Sequence, residues 1–412
     1  MNRTGIERIG MYVPRYALRL EELALSRGVE PSKFTEGLGQ HVMAVPAPDE
    51  DVVTMGANAA RTALQGLDPA SIDTLIFATE SGIDQSKAAG IFVHRLLGLS
   101  PRCRTFEVKQ ACCSSTAALQ MALTSAAARP GSRTLIIASD VARYGFGRPG
   151  EPTQGAGALA MVISDRPDLL AIDAESGVYT EDVNDFWRPN YLDEALVDGK
   201  YSIRIYLRAL EASWKDYAAQ TGATFDSFDR FCYHMPFTRM ANKAHLHLAH
   251  YLKLHRPAEV LDAQVEQSLV YNRLTGNCYT ASLYIGLLSL LENDAADLSG
   301  KRVGMFSYGS GCMGSFFGGT ITPGYRSILP TDEHRRLLRD RQLLDIETYE
   351  RFYSFAIPKD GSSFRTGTHP TGWFRLAGVE GHKRLYETAD GRPGAEFSQP
   401  APVLEELVAH TA

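Results

Sequence analysis

Phe106-Glu107-Val108-Lys109-Gln110-Ala111-Cys112-Cys113-Ser114-Ser115-Thr116 runs from a strand-like segment into a cysteine pair, and the Ala-rich stretch 117–128 follows as a helix. The order, extended chain then helix, makes a βα junction. A cysteine there lies near the positive end of the helix dipole and its unpaired N–H groups, which favours thiolate over thiol and so makes a nucleophile. Taken alone, a buried cysteine is more often a small packing residue. The rest of the chain has to decide between the two readings.

Upstream, residues 74–80 form a near-continuous apolar run of the kind buried on both sheet faces, and it ends in Glu80. Residues 51–64 read as a helix with an acidic start and 87–99 as another, and 134–140 and 158–165 read as apolar strands. An apolar segment at 6–13, a short helix from Leu20 and a polar, glycine-bearing surface loop at 33–40 precede them. Downstream, 228–234 is a strand ending in His234, 237–254 and 279–293 are helices, and 302–308 and 315–322 are strands. Strands alternating with helices place the chain in the α/β class, with helices on the faces of a mixed or parallel sheet. The pattern divides into two similar halves, 1–165 and 166–412, with one site expected where they meet. No literal sequence repeat supports the duplication. After about residue 325 the chain turns charged and irregular, which reads as a peripheral extension closing with a short strand at 372–379 and an acidic amphipathic end.

Composition excludes several functions. The 42 basic and 48 acidic residues, net charge -6, are mixed along the chain, so no basic tract tracks a phosphate backbone and nucleic acid is not an expected partner. No apolar run approaches the roughly 20 residues of a membrane span, and Met1 to Ile6 shows no signal core. The six cysteines are scattered without a CxxC pair, which fits a reducing cytoplasm better than disulfides or zinc.

Glu80, Cys112 and His234 each terminate an apolar segment, and strand ends are where ligands bind in α/β sheets. Singly, Glu80 is readable as a helix cap and His234 as a satisfied core imidazole. Asn277 opens the apolar helix that begins Cys278-Tyr279-Thr280, where an N-cap role is the plain alternative. The strand 302–308 runs into Gly309-Ser310-Gly311, a turn whose backbone can approach a ligand closely.

In order along the chain, Gly37-Leu38-Gly39-Gln40, Ala78-Thr79-Glu80-Ser81, Ala111-Cys112, Gly150 through Ala158, Asp185-Phe186-Trp187-Arg188-Pro189, Val197-Asp198-Gly199-Lys200, His234-Met235-Pro236-Phe237-Thr238, Gly276-Asn277-Cys278-Tyr279-Thr280 and Phe306 through Gly311 resemble the successive motifs of the 3-hydroxy-3-methylglutaryl-CoA synthase family. The resemblance spans about residues 5–325 and continues weakly through 372–386. It implies a thiolase fold, two halves in layered αβαβα order, and a homodimer. It also implies a condensing acyltransferase, with Cys112 as acetyl acceptor, Glu80 as the base that makes the acetyl enolate, and His234 and Asn277 as donors to the acceptor keto oxygen. Backbone N–H groups of Cys112 and of the 309–311 turn are expected to form the oxyanion hole. By motif position, Tyr144, Thr153, Asp185, Ser202, Ser310 and Tyr349 line the pocket or orient the reacting groups. Arg239 and Lys243, one helical turn apart, fall on the entry path of the acyl carrier.

No metal and no resident cofactor are implied; acyl groups arrive on the phosphopantetheine of CoA or of donor and acceptor acyl carrier proteins. His245, His247 and His250 share a helix but lack the carboxylate or cysteine partners of a metal site. Cys113 stands where the mevalonate-pathway enzymes carry a tyrosine. That departure, the run Asp198 through Ile203 and the tail to Tyr386 resemble more closely the synthases of polyketide β-branching, whose substrates ride on carrier proteins. The alternative is the CoA-dependent synthase using acetyl-CoA and acetoacetyl-CoA.

Overall fold

The computed structural model describes residues 3–389. Nine strands form its main sheet system: β1 (Gly5–Tyr12), β2 (Thr74–Ala78), β3 (Arg104–Val108), β4 (Thr134–Val141), β5 (Ala156–Ser164), β6 (Leu170–Thr180), β7 (Arg230–Tyr233), β8 (Arg302–Gly309) and β9 (Met313–Ile321). Every residue of β2 and of β5 is buried, as a continuous apolar run requires. The spatial order is β7-β8-β9-β6-β1-β5-β4-β2-β3. β2 lies parallel to both β3 and β4, and β7 parallel to β8. Only Gly5 and Ile6 of β1, paired with Ala171 and Leu170 of β6, join the two halves of this ribbon, so it behaves as two sheets hinged at one short contact.

Helices α1 (Val52–Ala63), α2 (Ala89–Leu96), α3 (Ser114–Ala128), α4 (Gly199–Thr221), α5 (Arg239–Tyr251), α6 (Ser282–Asn293) and α7 (Ile346–Tyr353) pack around them. Residues 282–292 of α6 are buried all round, which places that helix in the interior rather than on a surface. One core cluster unites Leu119 and Leu123 of α3 and Leu287 and Leu291 of α6 with Ile136, Met161, Met305 and Phe317 from both sheets. A second cluster lies under α1 and α2, and a third under α4 and α5. The layers are therefore helix, sheet, helices, sheet, helix, the thiolase arrangement. Asp51 caps α1 by accepting from Val53 and Thr54 N–H, with the Thr54 hydroxyl returning the contact.

Three of these elements escaped the sequence reading, α7 among them because the chain after about residue 325 reads as charged and irregular. α4, the 23-residue helix, starts at the Asp198 cap and stops at Gly222 with φ 71°, and it buries Tyr206, Ala209, Leu210, Ser213 and Tyr217 at helical spacing. β6 was missed because only its first residues are continuously buried. The short strand expected at 372–379 is Phe374–Glu380, hydrogen-bonded to Lys383–Thr388. It is clamped to the first half by Arg375 on Asp49 (3.2 Å) and by Tyr386 and Arg384 on Asp51 (2.6 and 3.0 Å). The acidic amphipathic end lies outside the described residues. Among those residues no helix is long and apolar enough to cross a membrane.

Candidate active site

After β3 the chain turns through Ala111, whose φ of 42° is a left-handed conformation that a non-glycine residue holds only under tertiary constraint. This turn presents Cys112, which is 8% exposed, and its thiol donates to Glu80 Oε1 at 2.8 Å. The expectation of a dipole-acidified thiolate needs correcting. α3 begins only at Ser114, so Cys112 sits outside the helix start. Burial, with the Glu80 carboxylate beside it, drives the thiol well above its ordinary range. The structure holds a neutral thiol aimed at a carboxylate.

Glu80 follows β2, and the neighbouring parallel strand β4 carries Asp140 at the same level. Asp140 is fully buried. Its Oδ1 accepts from the Thr79 hydroxyl (2.8 Å), Glu80 N–H (2.9 Å) and Ser81 N–H (3.0 Å), and its Oδ2 from Thr280 N–H (3.1 Å) and the Thr280 hydroxyl. One carboxylate thus ties the Glu80 strand end to the turn that follows Asn277, joining the two halves of the chain. Burial, reinforced by the negative Asp140, raises the Glu80 carboxyl to about 8, against the opposing Cys112 hydrogen bond and Arg188. The Arg188 guanidinium donates to the Glu80 carbonyl oxygen.

Tyr144 closes one side of the thiol. It clusters with Cys112, Ala142, Ala195 and Tyr279, and meets Phe186 and Tyr279 edge to face. Asn277 Nδ2 reaches the Tyr144 hydroxyl at 3.3 Å, while Asn277 Oδ1 accepts from Tyr279 N–H (2.8 Å) and the Ser282 hydroxyl (3.0 Å). Its oxygen is therefore saturated locally, and only its N–H₂ faces the cluster. Tyr279 has φ 43°, the second strained non-glycine residue at this spot. Glu80, Cys112, Tyr144 and Asn277 form one contiguous group.

His234 arrives by a different route. It continues β7, donates its N–H to the Phe306 carbonyl (2.8 Å) and accepts the Tyr206 hydroxyl on its own carbonyl (2.8 Å). The ring is 3% exposed, and its Nδ1 has no partner among the described residues. Burial lowers its pKa to about 3, so the imidazole is neutral. No hydrogen bond joins it to Glu80 or Cys112. It pairs with β8, and the next residue of that strand, Ser307, donates its hydroxyl to Cys113 Sγ at 3.3 Å.

The remaining expected residues separate into braces and surface. Asp185 Oδ2 accepts from Tyr308 (2.6 Å) and Ser202 (3.0 Å) hydroxyls, and its Oδ1 from Gly311 N–H (2.9 Å). The Gly311 N–H is therefore engaged and does not serve the expected oxyanion hole. The Ser310 carbonyl takes the Gln110 amide at 3.4 Å. Thr153 offers its carbonyl to Asn277 N–H (3.2 Å). Tyr349 lies buried, accepting from Gln154 Nε2 (2.9 Å) and donating to Glu151 (3.1 Å). Arg239 and Lys243 are exposed on α5, with the Lys243 ammonium 5.1 Å from the Phe237 ring centre. His245 is occupied by the Tyr233 hydroxyl and Gln264. Among the described residues no group of three or more His, Cys, Asp or Glu is placed to hold a metal ion. Asp140 is the residue that sequence reasoning passed over, although it ends an apolar strand just as Glu80 does.

Comparison with known proteins places this arrangement. The family model described as hydroxymethylglutaryl-coenzyme A synthase N terminal matches residues 1–169, and the one described as its C terminal matches 170–255 and 249–351. A hydroxymethylglutaryl-CoA synthase of Enterococcus faecalis is 41% identical over 86% of this chain and 93% of its own. A polyketide biosynthesis 3-hydroxy-3-methylglutaryl-ACP synthase of Bacillus subtilis is 34% identical over 86% of this chain and 88% of its own. Among solved structures, the curacin pathway HMG synthase in complex with acetyl donor-ACP superposes with a TM-score of 0.88 at 33% identity, covering 94% of this chain and 100% of that one.

Proposed function

The chain belongs to the hydroxymethylglutaryl-CoA synthase family, and from that premise we propose how its own residues carry out the condensation. It is an acyltransferase of the HMG synthase type, which forms a carbon–carbon bond. The Cys112 thiol, handing its proton to Glu80, attacks the carbonyl of an acetyl thioester, and Glu80 passes that proton to the outgoing thiolate, which leaves the carboxylate free again. Glu80 then removes a proton from the methyl of acetyl-Cys112, and the enolate carbon adds to the β-keto carbon of a β-ketoacyl thioester. Neutral His234 and the Asn277 amide donate to the keto oxygen as it becomes an alkoxide. Water then cleaves the Cys112 thioester, releasing a carboxylate and the free thiol. The alkoxide takes up the proton that Glu80 removed from the methyl, the proton released with the carboxylate goes to solvent, and no resident cofactor is invoked. The observation that carries the scheme is the 2.8 Å contact between Cys112 Sγ and Glu80 Oε1, with the carboxyl raised to about 8, near working pH.

CoA thioesters are the leading substrates. The identity of 41% to a synthase named for CoA exceeds the 34% to one named for a carrier protein, over equal shares of this chain. Carrier-bound substrates in polyketide β-branching are the second reading. It is favoured by Cys113 and by the likeness to a structure solved with an acetyl donor carrier. Arg239 and Lys243 suit the phosphate of either. Two further features belong to the proposal: a cytoplasmic setting, supported by the six free cysteines, and a homodimer, supported by the edge strand β3 with Phe106 53% exposed and Met121 of α3 55% exposed.

Loading decides between the substrates. The protein is offered acetyl-CoA and acetyl carrier protein in competition, and acetyl-Cys112 is measured by mass spectrometry. Faster loading from CoA is the expected result; loading from the carrier alone establishes the second reading. Acetyl retained by Cys112→Ala overturns the nucleophile assignment.

A further inference from the structure

The extension after residue 325 does more than cover a surface. Two segments frame the thiol: 143–155, which carries Tyr144, and 188–195, which carries Arg188 and Ala195. The first contains Gly145, Gly147, Gly150 and Gly155, and such a segment is costly to order and needs external ties to hold one conformation. The ties come from α7. Gln154 Oε1 accepts Tyr144 N–H at 2.8 Å, and Gln154 is itself held by Tyr349. The next N–H, that of Gly145, donates to the Tyr353 hydroxyl at 2.8 Å. The same hydroxyl donates to Glu194 Oε1 at 3.3 Å, so one phenol oxygen bridges the two segments.

Neighbouring contacts converge on that bridge. The Arg143 guanidinium donates to the Tyr353 carbonyl and lies 4.3 Å from its ring centre, and the Arg143 carbonyl accepts Ala195 N–H at 3.2 Å. Gly145 has φ 90°, a conformation that favours glycine, and a Cβ there would lie 2.4 Å from Glu194 Oε2, so the two segments touch at this point.

We infer that Tyr353 is a positioning residue for the condensation: its hydroxyl latches the Tyr144 and Arg188 segments together and so holds Tyr144 against Cys112 and Asn277. The inference rests on the reading of Cys112 as the acetyl acceptor, and its test carries one readout that does not. Tyr353→Phe keeps the ring packed on Phe146, whose centre is 4.5 Å away, and removes only the bridge. Glu194→Ala removes the other end, whereas Glu194→Gln retains an accepting oxygen. Two measurements are made on the full chain: kcat for condensation, and the rate at which iodoacetamide alkylates Cys112, followed by peptide mass spectrometry.

Tyr353→Phe and Glu194→Ala are each expected to lower kcat about 10- to 100-fold, the scale of a sub-ångström to ångström misplacement, and to quicken alkylation. The double variant is expected to be no worse than either single, and Glu194→Gln to match the parent. Singles unchanged in either readout, or losses that multiply in the double variant, overturn the latch. An unacetylated Cys112 in the parent protein overturns the functional reading instead, and the alkylation rates still report on the latch.

Discussion

Glu80 and Asp140 stand side by side at the ends of two paired parallel strands, Glu80 partly and Asp140 fully buried, and they differ in what their oxygens touch. Asp140 accepts from two hydroxyls and three backbone N–H groups. Those bonds oppose the upward pull of burial on its pKa. The Glu80 carboxylate accepts one thiol, from Cys112. Burial therefore meets little opposition there and the group rises to about 8. A buried carboxylate saturated with donors acts as a strut, while one with a single partner is free to act as a base. The strut also supplies part of the base's strength, since its charge is the second cause of the shift at Glu80.

The sharpest way to break this division is Glu80→Gln. If Glu80 is the base, condensation falls about 10²- to 10⁴-fold, the usual share of a positioned proton acceptor. Acetyl-Cys112 forms more slowly, because the thiol has lost its proton acceptor, but it still accumulates, since the condensation that consumes it is blocked. Stopped-flow acetylation and steady-state condensation separate the two steps, and retained condensation removes Glu80 from the role. Asp140→Asn comes next. Replacing one oxygen by N–H₂ sets donor against donor at Thr280 or at Thr79 and Ser81, which costs about 1–3 kcal/mol for each buried group left unpaired. Condensation is expected to fall about 10- to 100-fold through the displaced Glu80 strand end, with a lowered unfolding midpoint in urea. Undiminished stability would mean that Asp140 is not the strut described.

The same contrast explains what was legible in the sequence. Glu80, Cys112 and His234 were visible because each ends an apolar run and is of a reactive type. Asp140 also ends one, but its meaning depends on Thr79 and Thr280, which lie far away in the chain and approach it only in the fold. Sheet membership of most strands followed from apolar patterning. α4 has a readable stripe and a readable cap in Asp198, but its first residues coincide with the motif Asp198 through Ile203, which hides the element. The local rule fails for Cys112: the helix dipole is real, but burial and a carboxylate at 2.8 Å outweigh it. The extension looked peripheral because the partners of Tyr349 and Tyr353 lie some 150 or more residues back along the chain.

The smallest expected effect is thermodynamic and tests the base half of the comparison without any substrate. A carboxyl whose folded-state pKa lies above its unfolded value binds its proton more tightly in the fold. The stability this contributes is fully present below the unfolded value, near 4.5, and is lost as pH rises to about 8. Glu80→Gln cannot lose that proton. Its unfolding temperature, measured relative to the parent by calorimetry, is therefore expected to climb steadily between about pH 4.5 and 8 and to level off above. In a Cys112→Ala background the hydrogen bond that opposes the rise is absent, so the plateau moves to higher pH. A relative unfolding temperature that stays flat across the window means that Glu80 is ionised throughout and acts, like Asp140, as a strut. The two carboxylates would then differ in position but not in kind.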